Sequence, residues 1–209
     1  MKKTALLIDG GWFCRILAKS LNLHWPTARQ VVDNALSILA PDEELFRIFY
    51  YDCHPYGGTI KNPVDGNETD YSATPAFSGR TKFIKELGQM NGVALRLGEL
   101  KVRGWDFANA YTQSLSKTPR APSAKEVYPN FEQKGVDMRI GIDVATLSLK
   151  RTSDRVILFS GDTDMIPAMK LARREGLQVY IVEMPVWKNA MSRQMIEDSD
   201  GVRILTPTA

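Results

Sequence analysis

The sequence predicts an α/β fold built on a mainly parallel sheet, and three observations predict it. Short apolar runs, often β-branched or aromatic, recur at residues 4–8, 45–51, 93–97, 156–160 and 178–182, with a last one at 202–205. Unbroken runs of this kind suit strands buried on both faces. Stretches with apolar residues at helical spacing lie between them. Two of the runs end in small, acidic turns, Asp9-Gly10-Gly11 and Ser160-Gly161-Asp162-Thr163-Asp164. Strands alternating with helices imply right-handed crossovers. Ligands of such sheets bind beyond the carboxyl ends of the strands.

Each element follows from its residues. Strand 4–8 stops at Asp9, and Phe13, Ile16 and Leu17 then form a helix face packed inward. Residues 27–39 carry Val31, Val32, Ala35, Leu36 and Leu39 at helical spacing, and Pro41 closes the segment. Strand 45–51 leads into a stretch rich in Gly, Pro, Asn and Asp, 54–78. A helix is expected at 79–87, with Phe83, Ile84 and Leu87 on one face and Gly88 after it. Strand 93–97 leads into 98–134, which holds Pro119, Pro122 and Pro129 and has no sustained periodicity. Both irregular stretches are expected to be long loops near the active edge. In 135–150, Val136, Met138, Ile140, Ile142 and Val144 alternate as in a strand, yet Val136, Ile140, Val144 and Leu147 also fit a helix. The run is long for a strand, so a helix is expected. The helix at 162–175 tolerates Pro167 in its first turn and has Gly176 where a terminating glycine belongs.

At 209 residues the chain is expected to be a single domain, 1–209, with loop insertions at about 54–78 and 98–134. Hydrophobic content of 44% and charged content of 24% fit an ordinary soluble protein. The net charge of +3 permits a polyanionic partner but does not demand one, because Lys and Arg are scattered. Asp9 stops the first apolar run well short of the roughly 7–15 residues of a secretory core. No stretch reaches the ~18 apolar residues of a membrane span. Cys14 and Cys53 are the two cysteines and form no CxxC, which suits free thiols in a cytoplasmic protein.

The acidic turns carry the chemistry. Clustered carboxylates repel each other unless a cation neutralises them. Oxygen donors without His or Cys suit a hard divalent ion, Mg2+ or Mn2+, and hence phosphate chemistry. Asp137, in the first turn of the helix at 135–150, faces the same edge and is favoured there by the helix dipole. Each acid alone also has a structural reading: Asp162 as a helix cap, Asp9-Gly10-Gly11 as a tight turn, Asp137 as a dipole complement. Asp143 lies six residues after Asp137, about 240° around the helix, so it faces elsewhere and suits a role orienting a basic residue. His24 and His54 lie outside these segments, which disfavours histidine acid–base catalysis.

Asp9-Gly10-Gly11, Lys134-Gly135-Val136-Asp137 and Ser160-Gly161-Asp162-Thr163-Asp164, in this order and spacing, resemble the NYN family of PIN-like nuclease domains, also called the LabA-like or DUF88 group. The resemblance spans almost the whole chain. It implies a three-layer α/β/α sandwich around a Rossmannoid, PIN-like sheet. It also implies metal-dependent ribonuclease activity, with Asp9, Asp137, Asp162 and Asp164 as the acidic cluster and the metal ligands. Two departures stand out. Trp12 occupies the position where the family commonly has Asn, a residue that helps orient substrate or metal-bound water. Met165 replaces the usual Phe.

RNA, single-stranded or structured, is the partner this resemblance implies, and a homodimer is compatible with it. Lys134, Arg139 and Arg103 are candidates for phosphate contacts, with Lys101, Lys117, Arg120 and Lys125 nearby in sequence. Trp12 could floor a nucleotide pocket, and Trp105, Tyr111, Tyr128 and Phe131 could stack on unpaired bases. A competing reading is an RNA- or protein-binding module of the same family with little or no turnover, which Trp12 favours. A phosphatase of the haloacid-dehalogenase kind would need an acid two residues after Asp9, where Gly11 stands.

Overall fold

Strand β1 (Lys2–Asp9) lies at the centre of the chain's computed structural model, which describes residues 1–115, 117–185 and 191–209. In chain order there follow α1 (Gly10–Ser20), α2 (Ala28–Leu36), β2 (Glu43–Cys53), β3 (Thr59–Lys61), β4 (Glu68–Asp70), α3 (Pro75–Gly88), β5 (Val93–Phe107) and α4 (Asn109–Leu115). Then come β6 (Val127–Lys134), α5 (Val136–Leu149), β7 (Arg155–Phe159), α6 (Ile166–Arg174), β8 (Gln178–Glu183), α7 (Arg193–Glu197) and β9 (Gly201–Ile204). The chain divides into two compact units. The first comprises Met1–Asp52, Phe83–Leu97 and Gly135–Ala209, the second Cys53–Lys82 and Gly98–Lys134.

The strand order is β6-β5-β2-β1-β7-β8-β9. β1 pairs in parallel with both β2 and β7, β7 with β8, and β8 with β9. Helices flank this mainly parallel sheet, as the sequence predicts. From β1 the order runs outward through β2 on one side, while β7, β8 and β9 run out on the other. The gap beyond the carboxyl ends of β1 and β7 is therefore a topological switch point, where open α/β sheets bind ligands.

The core of the first unit is apolar and dense. Leu6, Leu7 and Ile8 of β1, Ile157 and Phe159 of β7, and Ile181 of β8 are wholly or almost wholly buried. Each such side chain contributes about 1.5–3 kcal/mol by leaving water. The rings of Phe13 and Phe159 meet edge to face at 5.0 Å and fix α1 against β7. Thr27 caps α2 through a reciprocal pair with Gln30. Gly176, at φ +87°, ends α6: its N–H reaches the Arg173 carbonyl while that of Leu177 reaches Ala172. At the start of β2 and β7, the buried Glu43 carboxylate accepts from Arg155 and, at 2.7 and 2.8 Å, from Arg203.

Residues 136–149 are helical, with Val136, Ile140, Val144 and Leu147 buried and Met138 and Ile142 exposed. The two irregular stretches are more ordered than expected. Within the second unit, β5 continues past Leu97 and pairs antiparallel with β6, with a register shift between Val102 and Trp105. The other stretch holds the antiparallel β3–β4 pair, and α3 already starts at Pro75, a residue suited to a first helical turn. Tyr56, Tyr71 and Phe131 form an aromatic cluster there, with ring centroids 5.4–5.9 Å apart. Among the described residues, no helix is long and apolar enough to cross a membrane.

Candidate active site

At the carboxyl end of β1 the chain turns directly into α1, and Asp9 caps the helix by accepting the Trp12 N–H at 3.1 Å. The next residue must be small. A Cβ on Gly10 would lie 2.3 Å from the Tyr50 hydroxyl and 2.7 Å from Asp52 Oδ2. Asp9 pairs with Tyr51 across the strands, so Asp52 emerges one residue further on the neighbouring strand. Asp52 is 2% exposed, and the Tyr50 hydroxyl donates to its Oδ2 at 3.0 Å. The Cys14 sulfur in turn lies 3.3 Å from that hydroxyl.

β7 ends beside β1, and the acidic turn follows. The Ser160 hydroxyl reaches Asp9 Oδ2 at 3.5 Å and accepts the Asp162 N–H at 3.2 Å. Asp162 Oδ1 accepts the Asp164 N–H at 2.9 Å and so opens the helical turn Thr163–Met165 that leads into α6. A Cβ on Gly161 would lie 2.6 Å from the Trp12 indole nitrogen. Trp12 is only 7% exposed, so its ring packs beneath this turn.

Asp137 lies in the first turn of α5, which packs on α6 and on the turn before it. The acids of the three segments sense one another. Burial raises the Asp9 carboxyl above its ordinary value; Trp12 N–H and Arg15 oppose this, while the charges of Asp52 and Asp137 add to it. Asp137 is raised too, by partial burial and then by Asp162 and Asp164. Among the described residues, however, no group of three or more His, Cys, Asp or Glu side chains is placed to hold a metal ion. Asp9 and Asp162 are each turned toward a helix N–H.

Asp143 points elsewhere, as its angular position requires. Its Oδ2 accepts from the Tyr51 hydroxyl at 2.9 Å and from Arg96 Nε at 2.8 Å, and the Arg96 guanidinium lies 5.0 Å from the Phe49 ring centroid. Arg139 folds back on its own helix and donates to the Gly135 carbonyl at 2.8 Å. In the second unit, Arg103 and Lys134 both donate to Glu132. Arg120 is held by Glu126 and Lys101 lies 3.7 Å from Glu99. The sequence-predicted basic residues of that unit are therefore largely matched by local acids.

Sequence reasoning missed Asp52 and Tyr50, and held Ser160 only as part of its motif. The signal for Asp52 was present, because it follows an apolar strand just as Asp9 and Asp162 do, but the adjoining irregular stretch obscured it.

The sequence profile of the NYN domain matches residues 78–204. The crystal structure of a protein of unknown function from Vibrio parahaemolyticus shares the fold, with a TM-score of 0.50 and 16% identity over 97% of this chain and 92% of that one. No curated protein matches the sequence. The family match takes in Asp137, Asp162 and Asp164 and more than half of the chain, which therefore belongs to the NYN domain family, a group of PIN-like nuclease domains.

Proposed function

We propose that this protein is a metal-dependent ribonuclease that hydrolyses RNA phosphodiester bonds, with Asp9, Asp137, Asp162 and Asp164 as the residues that hold Mg2+ or Mn2+. We read residues 1–209 as one NYN domain in which the second unit is an insertion. The observation that supports the activity most is the electrostatic pressure among the acids. Burial raises both Asp9 and Asp137, and neighbouring carboxylates add to it: Asp52 and Asp137 at Asp9, Asp162 and Asp164 at Asp137. A cation would relieve that cost, and an all-oxygen donor set fits a hard divalent ion.

When bound, the ion would lower the pKa of a water and neutralise charge developing on the phosphodiester. The chain's own residues orient the carboxylates. The Trp12 N–H holds one Asp9 oxygen and the Ser160 hydroxyl approaches the other. The Asp164 N–H holds Oδ1 of Asp162. Trp12 supports the Gly161 turn from beneath. Arg139 could turn from the Gly135 carbonyl to a phosphate, whereas Lys134 and Arg103 would have to leave Glu132 to do so.

The second reading, a binding module without turnover, is favoured by the buried Trp12 in place of the family's Asn. Titration of Mn2+ into the protein by calorimetry discriminates between the two. Binding that Asp137→Asn weakens at least tenfold supports the nuclease. No heat at millimolar Mn2+ favours the module.

A further inference from the structure

Arg96 belongs to no acidic turn, yet it shares a face of the sheet with Asp9. Asp9 and Tyr51 are register partners on β1 and β2, and β5 is the next strand beyond β2. The Tyr51 hydroxyl and Arg96 Nε both donate to Asp143 Oδ2, so the two side chains leave neighbouring strands toward α5. Asp9 senses Asp137 at the start of the same helix. Asp9, Tyr51 and Arg96 therefore stand in a row across three strands. Two strand spacings of about 4.8 Å separate the strand of Arg96 from that of Asp9.

The Arg96 guanidinium is held but not used up. Asp143 takes Nε at 2.8 Å, the Leu95 carbonyl takes Nη1 at 3.3 Å, and the Phe49 ring centroid lies 5.0 Å away. Nη2 has no hydrogen-bond partner among the described residues, and the side chain is 36% exposed. Arg120, by contrast, gives both Nη1 and Nη2 to Glu126. A guanidinium has N–H donors and no acceptor, so its open edge takes an anion, and its planar fork matches the oxygens of a phosphate. Because it is already ordered, little freedom is lost on binding.

We propose that Arg96 clasps a backbone phosphate of the RNA adjoining the linkage that is cut, with Asp143 and Phe49 holding the guanidinium in place. This rests on the ribonuclease reading above.

The test is Mn2+-dependent cleavage of two labelled oligouridylates. One carries ordinary phosphates throughout. The other carries neutral methylphosphonates on both sides of a single ordinary linkage. Wild type, Arg96→Met, Arg96→Lys and the control Arg29→Met, altered at an exposed position of α2, are compared. Circular dichroism checks folding. Arg96→Lys keeps a cation for Asp143 and serves where Arg96→Met fails to fold. Neutral flanks should raise the wild-type KM about tenfold, the scale of one charge-assisted hydrogen bond. Arg96→Met should raise KM for the ordinary oligomer by a similar factor and leave the neutral-flank oligomer as in wild type. Arg96→Lys should do the same to a smaller degree, because it lacks the fork. Arg29→Met should match wild type on both. In filter binding, Arg96→Met should make the slope of log affinity against log salt shallower by about 0.7, the share of one phosphate on a single strand. Arg96 variants that affect both oligomers equally, or that leave the salt slope unchanged, would make the Arg96–Asp143 pair a brace between sheet and helix. That result would overturn the clasp and leave the nuclease standing. Absence of any Mn2+-dependent cleavage by wild type would overturn both.

Discussion

Asp162 Oδ1 accepts the backbone N–H of Asp164 at 2.9 Å, so one acid of the proposed pair organises the turn that presents the other. The same carboxylate also presses on Asp137. These two roles separate on substitution. Asn caps helices about as well as Asp, so Asp162→Asn should keep the turn and relieve the repulsion. Its melting temperature without metal should equal or exceed that of wild type. Asp162→Ala should lose about 1 kcal/mol of stability through the missing cap. Thermal melts in EDTA check both. A large loss in the Asn variant would assign Asp162 a purely structural role.

Asp9→Asn should separate stability from function. In the folded chain the Asp9 carboxyl sits above its ordinary 3.8. Between that value and the raised one, the folded state binds more protons than the unfolded state. Stability contributed at Asp9 therefore falls as pH rises through the window, and at neutral pH its ionisation is a net cost. Asn removes the charge and retains an oxygen for the Trp12 N–H. The metal-free variant should melt higher than wild type near pH 7. The gain should shrink in acid. A variant that melts lower at every pH contradicts the assignment.

Glu43 shows the opposite sign. Burial pushes its carboxyl up, but the hydrogen bonds from Arg203, the Ala40 N–H and Arg155 outweigh it and hold the group down at about 2, against an ordinary 4.5. Its contribution, on the order of 3 kcal/mol by linkage, should be fully present above about pH 4.5 and be lost as pH falls toward 2. Glu43→Gln would leave Arg155 and Arg203 short of a counter-charge and should cost about 3–5 kcal/mol at pH 7. Urea unfolding at several pH values measures both. Wild type and Glu43→Gln should converge in acid, and parallel curves would refute the linkage.

The fold was legible where one period dominates. Strands β1, β2, β7 and β8 are continuous apolar runs, and Asp162 and Gly176 bracket the helical segment between β7 and β8. The continuation of β5 to Phe107 was not legible. Its register shifts near Gly104, which adopts φ +128°, and its partner β6 carries Pro129, so neither strand keeps a clean alternation. β3 and β4 have three residues each, too few for a pattern. In α5 the exposed Met138 and Ile142 imitate a strand. The acids Asp9 and Asp162 were found because each follows an apolar run in a small acidic turn, and Asp137 because it opens a helix. Asp52 also ends an apolar run, but the Gly- and Pro-rich stretch after it hid the signal.

Cleavage of a labelled RNA by wild type and Asp164→Asn, in Mn2+ and in EDTA, bears most directly on the proposed activity. A filter-binding titration of each protein at two salt concentrations accompanies it. Wild type should cleave only with Mn2+, and Asp164→Asn should lose cleavage while binding RNA as well as before or better, because a carboxylate repels the backbone and acts through the metal. Binding by both should weaken steeply with salt. Undiminished cleavage by Asp164→Asn, or wild-type cleavage that persists in EDTA, would contradict the aspartate-held metal site.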